Sequence, residues 1–134
     1  MKRIVIVVLM MTSILSTYSK ESFVSGVITL EAKSEKKNDI KKGALFVILR
    51  KQGVKRGPPV AVLKIDNPKF PTSFSISKEN IMIKGTEFVG PFWIKAKFVP
   101  DGNPLGEGQL LGELSPANGV QSNSKNLKVI LKKK

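Results

Sequence analysis

GALFVILRKQGVKRGPPVAVLKIDNPKFPTSFSISKENIM, residues 43–82, is the stretch of this sequence that decides the fold. It opens on an unbroken apolar run, residues 43–49, which is the pattern of a central strand that is covered on both faces. Gly53, Gly57, Pro58 and Pro59 then predict a turn. Residues 60–65 predict a second strand, and the alternation in residues 73–77 predicts a short third one. Short β elements separated by turn residues indicate an all-β domain.

The rest of the chain shows the same period of two. Residues 23–30, 92–98, 109–114 and 127–131 are predicted strands, and in one of them Phe92 and Ile94 alternate with Trp93 and Lys95. Ser77 is a candidate N-cap for one helical turn near residues 77–82. About seven short strands with frequent turn signals predict an antiparallel β-sandwich of the immunoglobulin- or cupredoxin-like class. We expect a single such domain over residues 20–134.

The N-terminus has the layout of a secretory signal peptide. Lys2 and Arg3 precede a mostly apolar run, residues 4–15, and Thr17 and Ser19 stand at the −3 and −1 positions of a cleavage site. A membrane anchor is the alternative, but this run is shorter than the roughly 20 apolar residues that span a bilayer. We therefore expect residues 1–19 to be removed and the protein to be periplasmic or otherwise exported.

The composition removes most catalytic chemistry. The chain has no Cys and no His, so it has no thiolate or imidazole nucleophile, no Ser-His-Asp triad and no ordinary zinc or copper site. Met82 is the only Met outside the signal segment, and its neighbours Ile81 and Ile83 place it in the expected core. Glu107 and Glu113 do not form a compelling catalytic pair. We expect a protein that is not an enzyme and that needs no cofactor.

One further pattern has a plain structural interpretation. Asp101, Asn103 and Glu107 weakly resemble a calcium loop, but Leu105 and Pro104 occupy positions that do not suit one. An Asp-Gly turn followed by a loop is the favoured interpretation. No metal is therefore expected.

Positive charge is the strongest functional signal. The formal net charge is +13, and it concentrates in Lys36, Lys37, Lys41 and Lys42 and again in Arg50, Lys51, Lys55 and Arg56. Such a field gathers anionic partners, so an anionic lipid surface, an anionic polymer or an acidic protein is expected. Nucleic acid is not expected, because no aromatic residues are interleaved with the cations. Solvated lysines that only keep the protein soluble remain the alternative.

Seven residues are candidates for binding a partner: Arg50, Arg56, Pro58, Pro59, Trp93, Lys95 and Lys97. Pro58 and Pro59 can form a rigid ledge for an extended peptide, or a stiff entry into an edge strand, which is the favoured interpretation. Trp93 lies on the polar side of its strand. It can anchor a partner or shield one face of the sheet, and the sequence favours neither.

The order of the short motifs resembles a known family. FVILR (residues 46–50), PPVAV (58–62) and FPTSFSI (70–76) are followed by Met82, IKAK (94–97), an Asp-Gly turn and GQLLG (108–112). Over residues 45–113 this order is similar to the C-terminal periplasmic domain of the CycH/CcmI-type c-type cytochrome biogenesis proteins, as a stand-alone version without their transmembrane helices and TPR repeats.

The resemblance implies a task. It indicates an exported, non-catalytic binding or chaperone-like module that is accessory to c-type cytochrome maturation. Its partner would be an extended segment of an apocytochrome or of another maturation protein. A basic envelope-associated protein that docks on anionic lipid or polymer surfaces stays open as the alternative.

Overall fold

Seven strands make up almost all of the regular structure. The computed structural model describes residues 22–31, 42–106 and 108–133. The predicted signal peptide (1–19), Lys36, Lys37, Lys41 and Glu107 lie outside these ranges. The strands are β1 (Phe23–Leu30), β2 (Ala44–Lys51), β3 (Ala61–Asp66), β4 (Thr72–Ser77), β5 (Phe92–Val99), β6 (Leu110–Leu114) and β7 (Leu127–Lys133). Each begins and ends within two residues of a predicted strand.

The strands form one sheet in the order β3-β2-β5-β6-β7-β1-β4. The two edge strands, β3 and β4, lie next to each other, so the sheet curls nearly into a barrel around a common core. The predicted all-β fold of about seven strands is confirmed. One pairing is parallel, that of β1 with β7, and the other five are antiparallel. The sheet is therefore mixed rather than antiparallel throughout.

The core is built from the inward-facing residues of every strand. β2 supplies Leu45, Val47 and Leu49 and β5 supplies Ile94 and Ala96, all of them fully buried. Each large aliphatic side chain that is removed from water in this way contributes about 1.5–3 kcal/mol. Because alternate residues of a strand point to opposite faces, the period of two in the sequence becomes this division between inside and outside.

β2 is covered on both faces, as its unbroken apolar run predicts. On the outer face Ala44 and Phe46 pack with Val99 of β5 in a second buried cluster, and Ile48 and Val62 lie against it. The outer face of the central strands is therefore partly apolar.

For the segment after β4, one expectation from the sequence is confirmed and one is wrong. The predicted helical turn is a single 3₁₀ turn, Lys78–Asn80, and Ser77 is its N-cap with a complete capping box. Ile81 then pairs with Ala61 at the edge of β3, and the Met82 amide donates to the Val60 carbonyl at 3.2 Å. This extended pairing turns Ile81 towards the core and Met82 outwards. Met82 is 57% exposed, so its expected place in the core is wrong.

Candidate functional site: the basic face and the loop end

Four of the seven candidate binding residues lie on one side of the sheet. We call the outward-facing residues of β3, β2 and β5 the basic face: Val62, Lys64, Ile48, Arg50, Trp93, Lys95 and Lys97. Cross-strand pairing arranges them in rows, because Phe46 lies between Lys64 and Lys97, and Ile48 lies between Val62 and Lys95. Arg50 pairs with Trp93 in the row nearest the last residue of β2 and the first residue of β3.

Arg50 and Trp93 hold the loop that joins β2 to β3. The Arg50 guanidinium donates from Nη1 to the Gly57 carbonyl at 2.6 Å, and the Trp93 indole donates from Nε1 to the Val54 carbonyl at 3.0 Å. Arg56 and Pro58 are exposed on this loop. The structure thus brings these candidates together, and two of them have a structural task that the sequence did not indicate.

Pro58 and Pro59 lead directly into edge strand β3. Pro59 is half-buried, and the next amide, that of Val60, donates to the Leu49 carbonyl at 2.8 Å. This is the position of a stiff entry into an edge strand, the interpretation that the sequence favoured. An edge strand tolerates Pro because no ladder hydrogen bond is needed from the Pro nitrogen.

Lys97 differs from Lys95, although both point outwards from β5. The Lys97 ammonium donates to the carbonyl oxygens of Pro104 and Gly106, the second at 3.4 Å, and lies 6.0 Å from the centre of the Phe46 ring. Burial lowers the pKa of Lys97 below its ordinary value of 10.5, and the neighbouring Lys95 charge lowers it further. Lys97 therefore fixes the β5–β6 loop, whereas Lys95 presents its charge on the basic face.

The loop that Lys97 holds contains the expected Asp-Gly turn. Gly102 has a φ of +74°, and its amide donates to the Val99 carbonyl at 3.1 Å, as expected for an Asp-Gly turn. Asp101 Oδ1 accepts from the Asn103 amide, and Asn103 Oδ1 accepts from the Leu105 amide, so both oxygens stabilise the turn. Among the described residues, no three Asp or Glu side chains are grouped so that they could hold a metal ion.

Few acids balance the basic face. Lys64 forms an ion pair with Asp66 at 3.4 Å, and both side chains are well exposed, so salt screens this pair. Glu113 of β6 stands opposite Lys95 in the register. Arg50, Lys95 and Lys97 leave the face with a net positive charge, and apolar Ile48 and Val62 lie between the cations.

The second surface is the end of the barrel at which β2 runs into β3. We call its three loops, residues 52–60, 78–91 and 115–126, the loop end. Gln52 connects them: its amide donates to the Pro91 carbonyl at 3.0 Å, and its Nε2 donates to the Ala117 carbonyl at 2.9 Å. Gly119, at a φ of +71°, approaches both Gln52 and Pro91 so closely that a Cβ there would overlap them. The three loops therefore form one connected surface.

Large apolar side chains are exposed at the loop end. Val54 is 46% exposed on the first loop, and Met82, Ile83 and Val89 are 57%, 50% and 52% exposed on the second. Met82 and Val89 line an open groove of about 860 Å³, together with Ile81 and Phe88. This surface is not evident from the sequence, because adjacent apolar residues in a loop resemble a buried segment.

Comparison with known proteins returns no relative: no family model, no curated protein and no solved structure matches this chain. Within the described ranges, no helix is both long enough and apolar enough to cross a membrane.

Proposed function

We propose that this chain is a non-catalytic binding module that holds an extended, acidic segment of a partner protein against the basic face. One observation carries the proposal: the cross-strand rows in which Lys64 and Lys97 flank Phe46, and Val62 and Lys95 flank Ile48. Cations beside the half-buried side chains of Ile48 and Val62 suit a chain in which acidic and apolar residues alternate.

The chemistry of such a surface favours recognition over tight binding. Charges at a solvent-exposed surface speed up encounter and select partners of opposite sign, and they add little to affinity when salt screens them. A chaperone-like module that must release its partner suits this balance. The resemblance to the CycH/CcmI-type domain makes an apocytochrome or another maturation protein the first partner to test, and the signal-like N-terminus supports an encounter outside the cytoplasm.

The test is a titration of the chain with a fluorescent, Glu-rich extended peptide, beside a neutral peptide of the same length. We expect Lys64→Gln/Lys95→Gln to weaken binding of the acidic peptide about tenfold, since each lost charge pair is worth on the order of 0.5–1 kcal/mol. The matched control is Lys128→Gln/Lys132→Gln, which removes two exposed cations from β7. Lys97 is left intact because it holds a loop.

An equal loss in both double variants would mean that only the net charge matters, and the basic face would not be the site. A pulldown from a periplasmic extract then tests the partner. Recovery of an apocytochrome or a maturation protein by the unmodified chain, with loss in Lys64→Gln/Lys95→Gln, supports the cytochrome assignment, and recovery of neither contradicts it.

Docking on an anionic surface is the second candidate function. The exposed apolar side chains of the loop end favour it, because several cations lie in the same loops.

A further inference from the structure

We infer that the loop end is a membrane-docking surface that binds anionic phospholipid, with Val54, Met82, Ile83 and Val89 entering the interfacial layer. The inference names the surface and the ligand of the second candidate function above. It does not depend on the acidic-peptide proposal for the basic face.

Exposed apolar side chains are concentrated at this end. The described part of the chain has seven large apolar residues that are well exposed, and four of them are these loop-end residues. Single exposed apolar residues are ordinary on a protein surface, but a group at one end marks an interaction site. Two backbone contacts bring the loops that carry the group together: the Met82 amide bonds the Val60 carbonyl, and the Gln52 amide bonds the Pro91 carbonyl.

Contacts with the core and with β2 and β5 hold the loops of this surface in place. Phe88 anchors the second loop in the core, where its ring lies 5.0 Å from that of Phe92. The first loop is held by the bonds from Arg50 to Gly57 and from Trp93 to Val54. The apolar side chains are therefore presented outwards by fixed loops, so little ordering is needed when they bind.

The charge of the loop end favours an anionic bilayer as its ligand. The structure describes the three loops in full. They contain the cations Lys55, Arg56, Lys78, Lys84 and Lys125 and the acids Glu79 and Glu87. A second copy of the chain would bring the same positive charge to the contact, which disfavours self-association through this end. An anionic bilayer offers both counter-charge and an apolar layer, and each Lys or Arg near such a surface strengthens the attraction.

The single Trp of the chain is a built-in reporter. Trp93 bonds the carbonyl of Val54 at the loop end, so lipid that reaches Val54 changes the surroundings of the indole. The full chain is mixed with vesicles of phosphatidylcholine alone or of phosphatidylcholine with phosphatidylglycerol. We expect sedimentation with the anionic vesicles, a blue shift of Trp93 emission, and quenching by lipids that are brominated on the acyl chain.

Matched variants locate the contact. Met82→Ser/Ile83→Ser/Val89→Ser removes apolar side chains from the loop end, and Val27→Ser/Leu105→Ser/Ile130→Ser removes three exposed ones from elsewhere. Lys55→Gln/Arg56→Gln has Lys128→Gln/Lys132→Gln as its charge control. Both loop-end variants should bind the anionic vesicles roughly tenfold or more weakly, from about 1 kcal/mol per lost cation and a similar loss of apolar contact, and the controls should bind nearly as the parent does.

Three results would overturn the inference. The first is that neither vesicle type is bound. The second is binding without a change in Trp93 emission, which would assign the binding to the N-terminal apolar run. The third is a loop-end triple variant that loses the Glu-rich peptide instead of the vesicles, which would make this surface a peptide site. If the triple variant loses the vesicles and keeps the peptide, the membrane inference stands whatever the outcome for the basic face.

Discussion

Replacing Gly119 by Ala tests whether the loop end is as tightly built as its contacts indicate. Gly119 has a φ of +71°, and a Cβ placed there would lie 2.4 Å from the Pro91 Cβ and 2.9 Å from the Gln52 Oε1. Two costs therefore add up. An L-residue in the left-handed region costs about 1–2 kcal/mol, and forcing a methyl group into a packed site costs about 1–3 kcal/mol more.

Gly102 provides the matched control. Its φ is +74°, nearly that of Gly119, and nothing lies within 4 Å of a Cβ built on it. Gly102→Ala therefore carries the backbone cost alone, together with the same change in the entropy of the unfolded chain. The difference between the two variants isolates the packing at the loop end, and we expect it to be about 1–3 kcal/mol.

Urea unfolding followed by Trp93 fluorescence measures both variants. With a slope of about 2 kcal/mol per M, the midpoint of Gly119→Ala should lie roughly 0.5–1.5 M below that of Gly102→Ala. Equal midpoints would refute the reasoning, because they would show that the loop of residues 115–126 moves away from Gln52 and Pro91 at no cost.

Two further predictions concern the tethers of the site. Trp93→Phe keeps a ring on the basic face but removes the donor to the Val54 carbonyl. We therefore expect the free energy of unfolding, measured by circular dichroism, to fall by about 1 kcal/mol and amide exchange at Val54 to accelerate. Unchanged exchange at Val54 would show that this hydrogen bond does not hold the loop. Lys97 has a lowered pKa in the folded protein, so the unfolded chain binds more protons between that pKa and 10.5, and the free energy of unfolding should rise with pH in this window. Lys97→Gln should remove the rise, and an identical pH profile in both proteins would show that Lys97 is not its source.

The strands could be predicted because their residues alternate, and the pairing partners could not. The Phe92–Val99 segment alternates clearly, and it is found as strand β5 with Phe92 and Ile94 inside and Lys95 outside. Periodicity fixes which residues share a face, but it carries no information on which strands are neighbours. The parallel pairing of β1 with β7 and the meeting of β3 with β4 therefore came only from the structure.

The candidate site was predicted in composition and only partly in role. Arg50 and Trp93 are far apart in sequence, so their shared hold on the β2–β3 loop depends on the register of β2 with β5. Lys97 and Lys95 occupy equivalent positions in the alternating pattern of the sequence. Their roles differ only because the β5–β6 loop is folded against Lys97. Met82 was misplaced because hydrophobicity alone does not show which residue of an apolar trio faces inwards.

The parallel pairing of the first and last strands also governs when the domain can form. Gly26 of β1 pairs with Leu127 of β7, and β1 meets β4 on its other side. The first strand thus has no partner until the middle of the chain is available, and the sheet cannot close until the last strand is made. Folds that depend on such distant pairings form slowly. The sheet of this topology is therefore completed only after the last strand has been synthesised.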